Sequence, residues 1–174
     1  VLPTPQYKKD LTGEPWYIGD ECNTVIGQGY VTVTPLQMTV AISAIMNGGN
    51  VLRPYLVDKA RDQNGNIVLD NQTDILRDLN VSDKTINILQ KGLRMGVTAG
   101  TAGPLNSVPG KSVGKTGSSD ASQLIMGKVY SGAHSWVIGC FDYSGEKYCF
   151  AVVQQLGGRG YKTVPIMKKF INCV

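Results

Sequence analysis

The chain of 174 residues is 42% hydrophobic and carries a formal net charge of +4. This length fits a single domain with a substantial core, and the scattered Lys and Arg residues indicate a solvated surface rather than a nucleic-acid interface. Its apolar segments are shorter than the roughly 18 residues that a membrane-spanning helix requires, and no signal peptide is recognisable. We predict that residues 1–11 form a loop of a longer protein.

Glycines punctuate the next segment, where Gly19 follows Trp16 and the sequence Ile-Gly-Gln-Gly occupies residues 26–29. Glycine permits positive φ angles and close approach of the backbone to other groups. We predict a structural turn at 26–29, with a loop that approaches a ligand as the alternative.

A helix is predicted to begin at Pro35. Thr34 can cap it, Pro35 suits its first position and Gln37 completes a capping box. The residues through Met46 are apolar on nearly every side, which predicts burial. The sequence Asn-Gly-Gly at 47–49 ends the helix.

A peripheral hairpin is predicted over residues 51–69, because two β-rich runs flank the Asn-Gly-Asn sequence at 64–66. Ser82 then caps a second helix, which ends near Gly96. Its apolar residues lie on one face, and Val81 can contact Ile86 as a hydrophobic staple. The small residues at 98–104 form either a loop that borders a site or a linker.

The C-terminal third predicts a sheet. Residues 118–132 are expected to hold a strand edge and a loop, followed by strands at Ser135–Phe141 and Tyr148–Gln154 joined by a turn at 144–145. A last helix follows from Pro165 to Asn172, and the apolar strands predict helices on both sheet faces. The fold class is therefore α+β, with at least three antiparallel strands over about 112–155 and a separate helical lobe over about 34–98.

The sequence Lys115, Thr116, Gly117 and Ser118 concentrates a cation, two hydroxyls and a glycine. A lysine with neighbouring hydroxyls can hold a carboxylate by charge and hydrogen bonds, while glycine lets a ligand approach the backbone. The Lys-Thr-Gly triplet is also one of the motifs of β-lactamases and penicillin-binding proteins.

Other chemistries find less support in the sequence. The four cysteines lack metal-ligand spacing, so no metal site and no cofactor are predicted. A single His, at 134, makes a Ser/His/Asp triad a poor interpretation. Residues 110–116 resemble a nucleotide-binding P-loop, but Pro109 stands where its first glycine belongs.

Six segments together resemble the C-terminal part of the transpeptidase domain of class B penicillin-binding proteins. Their order and approximate spacing match along nearly the whole chain, so residues 1–174 are expected to be the C-terminal portion of one such domain. The six segments are 16–19, 26–29, 34–37, 47–49, 115–117 and 136–139.

The resemblance implies a serine acyltransferase that cross-links peptidoglycan stem peptides and is trapped by β-lactams. The family places its nucleophile in a Ser-x-x-Lys motif, with a Ser-x-Asn motif on a second side of the site. Ser112 and Ser144 match the spacing of the first motif, but neither lies in a segment predicted to form the helix that the family uses there. No Ser-x-Asn sequence occurs. We therefore expect the nucleophile to lie outside this chain, which would be inactive alone. A β-lactam sensor or a β-lactamase of the same fold remains an alternative.

Roles follow residue by residue from the resemblance. Lys115 would place positive charge near the substrate and the nucleophile, and the Thr116 and Ser118 hydroxyls would bind the substrate carboxylate. The backbone N–H of Ser118 would serve the oxyanion hole, and Gly117 would keep the strand edge open.

The resemblance also implies a location on the extracytoplasmic face of the bacterial membrane, with an N-terminal anchoring helix outside this chain. Stem peptides and β-lactams are the expected ligands, and other cell-wall synthesis proteins are expected partners. An unpaired sheet edge could pair with a second copy to form a homodimer.

The hairpin turn at 144–145 places Cys140 directly opposite Cys149. Directly opposed residues have Cα atoms about 4.5 to 5.5 Å apart, which a disulfide can span. Buried cysteines also behave as small hydrophobes, and we predict neighbouring but reduced thiols here.

Overall fold

A computed structural model describes residues 1–173, with only the backbone described at Ile125. Two short helices begin it, α1 (Pro5–Thr12) and α2 (Ile18–Val25). The expected loop over 1–11 is therefore wrong. Thr4 caps α1 by accepting a hydrogen bond from the Tyr7 N–H at 3.1 Å, which is the same Thr-Pro start signal as at Thr34.

Buried Lys8 joins these two helices. Its Nζ lies 2.8 Å from Asp20 Oδ2 and 4.3 Å from the centre of the Tyr17 ring. The hydrogen bond between the two side chains raises the pKa of Lys8 and lowers the pKa of Asp20. The predicted turn follows α2, with positive φ angles at Gly27 and Gly29.

Helix α3 (Pro35–Met46) has the predicted capping box between Thr34 and Gln37. The prediction that it is buried on every side is wrong. Ile42 and Ala44 are buried, but Leu36 is 58% exposed. The helix therefore packs through one face, although its sequence is apolar around its circumference.

Four short strands follow: β1 (Asn50–Leu52), β2 (Lys59–Arg61), β3 (Ile67–Asp70) and β4 (Ile75–Asp78). Strands β2 and β3 form the predicted hairpin, whose turn is held by Asp62 Oδ1 accepting from the Asn64 and Asn66 N–H groups, each at 2.9 Å. Strand β1, which the sequence analysis placed in that hairpin, pairs instead with β4.

Helix α4 (Asp83–Thr98) begins at its predicted Ser82 cap and runs two residues past Gly96. Ile86 is buried, whereas Leu89 on the same predicted face is 43% exposed. A 3₁₀ turn at Gly103–Ser107 follows. The segment over 34–98 thus contains the predicted helices and also four strands, and both helices pack against the sheet described next. It is not a separate helical lobe.

The main sheet has three antiparallel strands in the order β5 (Val113–Ile125), β6 (Lys128–Tyr143) and β7 (Glu146–Gln154). The expected loop within 118–132 is wrong, because β5 continues into β6 through a two-residue turn at Met126 and Gly127, both with positive φ. The second turn is at 144–145 as predicted, with Tyr143 opposite Glu146.

Helices cover both faces of this sheet. On one face Ile42 of α3 contacts Val113 and Cys140. On the opposite face α5 (Val164–Ile171) packs its Val164, Met167 and Ile171 onto the sheet. Alternate residues of a strand point to opposite faces. Val137 and Phe141 of β6 therefore pack on the side of α5, whereas Cys140 packs on the side of α3.

A disulfide joins Cys140 to Cys149, whose Cα atoms are 4.0 Å apart. The predicted register is confirmed, and the prediction of reduced thiols at these two positions is wrong. Direct opposition on one sheet face brings the sulfurs together regardless of how apolar their surroundings are. Cys22 and Cys173 are free and exposed.

Candidate functional site

Strand β5 carries Lys115, Thr116, Gly117 and Ser118 on a continuous ladder with β6. It stands at one end of the strand order, so it has a strand partner on one side only. Pairing with β6 along one edge fixes the register of the residues on β5. The other edge of β5 has no strand partner and can receive a ligand.

A cavity of about 510 Å³ lies against this part of β5. The loop after α2 contributes one wall, which includes Ile26, Gly27 and Val33, and Met38 of α3 adds to it. Residues 115–119 form a second wall. The glycine-rich segment at 26–29 therefore both makes a turn and lines the candidate site.

The two faces of strand β5 carry different chemical groups, because alternate side chains of a strand point to opposite faces. Lys115 is opposite Ile138 in the ladder, and both residues line the cavity. Thr116 and Ser118 also line the cavity, but they are opposite Val137 and Ser135, whose side chains are fully buried on the other face. The structure therefore places the cation and the two hydroxyls on one strand but on opposite sides of it.

The Lys115 side chain is exposed, and its Nζ donates to the Thr116 carbonyl oxygen at 2.7 Å. An ammonium group has three donors, so two remain for other acceptors. Among residues 1–173, no carboxylate forms an ion pair with Lys115. Its charge is thus available to an anion in the cavity.

The Thr116 hydroxyl is held from the loop that follows α4. Thr101 Oγ1 lies 2.5 Å from Thr116 Oγ1, and either oxygen can be the donor. This loop is the segment that the sequence analysis left open between a linker and a site border, and its Thr101 contacts one of the residues that line the cavity.

The Ser118 hydroxyl accepts a hydrogen bond from the Gly160 N–H at 2.8 Å. It therefore keeps its own proton for donation to another group. Gly160 lies so close to the strand that a Cβ there would overlap the Gly117 carbonyl oxygen. Behind this contact Thr163 donates to Ser135 Oγ, which donates to the Arg159 carbonyl oxygen at 2.9 Å.

Sequence reasoning missed Thr101, Gly160 and the aromatic wall of the cavity. Trp136 and His134 line that wall from β6, and the Leu156 N–H donates to His134 Nδ1 at 3.0 Å. The period-two pattern of β6 was the signal available for Trp136 and His134, since both lie an even number of residues from Ile138. Nothing in the sequence signals the contacts of Thr101 and Gly160, which come from distant segments.

The two other serine candidates lie outside the cavity lining. Ser112 is fully buried and its hydroxyl donates to the Leu105 carbonyl oxygen at 2.6 Å. Ser144 lies in the β6–β7 turn with φ of 51°. The P-loop interpretation is wrong, because a strand follows Lys115 where a P-loop requires a helix.

Within residues 1–173, no group of three or more His, Cys, Asp or Glu side chains is arranged to hold a metal ion. The helices in this part of the chain are all too short or too polar to cross a membrane. The Lys115 ammonium group and the Thr116 and Ser118 hydroxyls give the otherwise largely apolar cavity polar groups that suit an anionic ligand.

A family model described as the penicillin binding protein transpeptidase domain matches residues 5–172. The chain belongs to this family. Among penicillin-binding proteins, the peptidoglycan D,D-transpeptidase MrdA of Haemophilus influenzae is 25% identical over 191 residues, which cover 98% of this chain and 28% of that protein.

MrdA of Escherichia coli strain K12 is 43% identical over 56 residues, which cover 32% of this chain and 9% of that protein. The fold is similar to part of penicillin-binding protein 2 of Helicobacter pylori, solved in complex with MreC. The TM-score is 0.73 at 22% identity, with 99% of this chain and 30% of that chain covered. The present chain thus spans less than a third of the length of these relatives.

Proposed function

We propose that this chain is the C-terminal portion of a peptidoglycan D,D-transpeptidase, and that a serine outside these 174 residues forms the acyl-enzyme. The observation that carries the proposal is the placement of Lys115, Thr116 and Ser118 on the edge strand of a sheet beside a cavity. Membership of the penicillin-binding protein family supports it.

The substrate in this proposal is a peptide that ends in a carboxylate. The Thr116 and Ser118 hydroxyls donate to that carboxylate, and the Ser118 hydroxyl is suited to this role because the Gly160 N–H already fills one of its acceptor positions. Lys115 adds positive charge that stabilises both this anion and the charge that develops as the serine attacks.

Acyl transfer requires the serine oxygen to bond to the carbonyl carbon while the terminal residue leaves with a proton. The tetrahedral intermediate carries negative charge on the carbonyl oxygen, and the Ser118 N–H is proposed as one donor to it. Loss of one such donor lowers the rate by roughly 10²-fold to 10³-fold in comparable enzymes. Gly117 leaves the backbone open to the ligand because it has no side chain.

Penicillin acylation of the full-length protein tests this proposal. Lys115→Ala should lower the second-order rate constant for acylation by at least about 100-fold, as expected for loss of a charged stabilising group. The matched control is Lys111→Ala, since Lys111 is also exposed and lies before the strand begins. Equal rates for the Lys115 variant and wild type would contradict the assigned role.

The proposal also predicts that the 174-residue chain alone forms no covalent penicillin adduct. Ser112 is buried with its hydroxyl engaged, which leaves no serine beside Lys115 within the cavity except Ser118 and Ser119 of the same strand. Intact mass spectrometry after incubation with penicillin is the measurement. A stable adduct on any serine of this chain would contradict the placement of the nucleophile elsewhere.

The location and partners of the full-length protein remain proposals. We infer an extracytoplasmic protein anchored by a segment outside this chain, in which other cell-wall synthesis proteins are partners. The complex of the Helicobacter pylori relative with MreC supports a partner of this class. Pairing of two copies through a sheet edge also stays a prediction.

A further inference from the structure

We propose that Thr101 is a positioning residue, whose hydroxyl donates to Thr116 Oγ1 and thereby directs the Thr116 proton toward the substrate carboxylate. The two oxygens are 2.5 Å apart. The inference rests on the proposed function, because it deepens the role given there to Thr116.

The number of protons and lone pairs on each group determines the direction of this hydrogen bond. A hydroxyl has one proton and two acceptor lone pairs, whereas an ionised carboxylate only accepts. When Thr116 gives its proton to a carboxylate, it can contact Thr101 only as the acceptor. Thr101 must then be the donor, and a donor at this position strengthens the donation by Thr116 through cooperativity of the two bonds.

Two glycines, Gly96 and Gly100, allow Thr101 to lie beside the strand. A Cβ on Gly96 would overlap the Gly114 carbonyl oxygen, so α4 approaches β5 at backbone contact distance. A Cβ on Gly100 would lie 2.7 Å from the Gly96 carbonyl oxygen, so the loop folds back tightly on the helix end. The Ala102 N–H then donates to that same oxygen at 3.0 Å.

The residues that flank Thr101 are anchored although Thr101 itself is exposed. Ala102 is 1% exposed and Leu105 is 0% exposed, and both lie against Gly114. The loop is therefore held by packing rather than by the Thr101 side chain. Removal of the Thr101 hydroxyl should leave the fold intact, as expected for an exposed position.

Ser118 shows the same arrangement with a different donor. Its oxygen accepts from the Gly160 N–H at 2.8 Å, which leaves its proton free. Both hydroxyls proposed to bind the carboxylate thus have a second partner, which is a backbone amide for Ser118 and the Thr101 hydroxyl for Thr116. The side-chain donor is the one that a substitution can remove.

The test measures the second-order rate constant for acylation of the full-length protein by a fluorescent penicillin. Thr101→Val should lower it by about 3-fold to 10-fold, which is the usual effect of one hydrogen bond. Thr101→Ser keeps the hydroxyl and should stay within about 2-fold of wild type. Thr98→Val is the matched control, because Thr98 is exposed in the same segment and its hydroxyl donates to the Arg94 carbonyl oxygen at 3.3 Å.

Two further measurements separate positioning from general structure. In a Thr116→Val background, Thr101→Val should have no added effect, since the proton that it directs is absent. With a penicillin methyl ester, which lacks the ionised carboxylate, the difference between wild type and Thr101→Val should also disappear.

An unchanged rate for Thr101→Val would overturn the inference, and so would an equal loss in the Thr98→Val control or an undiminished loss in the Thr116→Val background. The proposed function fails separately, if the wild-type full-length protein itself forms no penicillin adduct. Wild-type acylation with an unaffected Thr101→Val variant would reject the role of Thr101 alone.

Discussion

The three-stranded sheet and the strand pairs at residues 50–78 contain similar β-forming residues but differ in burial. Val137 of β6 is 0% exposed, whereas Ile67 and Val68 of β3 are 48% and 64% exposed. Helices cover both faces of the sheet, while β3 and β4 are exposed at every position. Propensity is therefore sufficient to form strands in both regions, but only the sheet has its register fixed by packing.

The candidate site lies in the region with the fixed register. A slip of β5 by one residue would exchange the faces on which the Lys115 and Thr116 side chains lie, because side chains alternate along a strand. The helices packed on both faces of the sheet oppose this slip, because it would expose buried apolar side chains. The strand pairs at 50–78 could tolerate such a change with much less loss of burial.

Glycine substitutions should show the largest difference between the two regions. A Cβ on Gly139 would overlap the Val113 carbonyl oxygen and lie 2.8 Å from Phe150 Cζ, so Gly139→Ala should destabilise by more than about 4 kcal/mol. The control is Gly65→Ala in the β2–β3 turn, where nothing lies within 4 Å and only the φ of +83° opposes the change. That variant should lose about 1 to 2 kcal/mol. Chemical denaturation measures both, and a similar loss in the two variants would contradict the comparison.

Truncation of two isoleucines should give the next largest difference. Ile42 is 1% exposed between α3 and the sheet, and Ile42→Ala should lower the free energy of unfolding by roughly 3 kcal/mol. Ile67→Ala in β3 should change it by less than about 0.5 kcal/mol, since its side chain is 48% exposed. Thermal unfolding midpoints would check this pair. A larger loss for Ile67→Ala would show that β3 is covered in solution.

Reduction of the disulfide should have a smaller effect. The bond links residues with a sequence separation of 9, and closing so short a loop stabilises by about 2 to 3 kcal/mol. The double variant Cys140→Ser and Cys149→Ser should lose about this amount, while Cys22→Ser, at an exposed free cysteine, should not. Thiol counting under denaturing, non-reducing conditions should find two thiols, and four would contradict the disulfide.

The pH response of the β2–β3 turn should be the smallest effect. The hydrogen bond from the Asn66 side chain and those from backbone N–H groups lower the pKa of Asp62 from its ordinary value of 3.8. Because the pKa of Asp62 is lower in the folded state, its carboxylate stabilises the turn at pH values above 3.8. This stabilisation is lost as the pH falls through the lowered pKa. Amide NMR shifts of Gly65 and Asn66 should therefore titrate below pH 3.8. Asp62→Asn should abolish that titration without shifting the unfolding midpoint of the sheet.

Local signals explain the elements that the sequence predicted. The Thr34 and Ser82 caps, the turns at 64–66 and 144–145 and the apolar pattern of β6 depend on residues close in sequence. The Met126 turn was missed because a positive φ is unusual for methionine. The pairing of β1 with β4 was missed because it joins segments more than 20 residues apart.

The amino-acid sequence was enough to predict the chemistry at 115–118, the turn at 26–29 and the opposition of Cys140 and Cys149. The groups that hold the residues at 115–118 in place could be identified only from the folded chain. Thr101 reaches Thr116 because α4 presses on β5 at Gly96, and Gly160 reaches Ser118 from a segment 42 residues away. Such contacts arise from the packing of whole elements, so neither periodicity nor turn signals can reveal them.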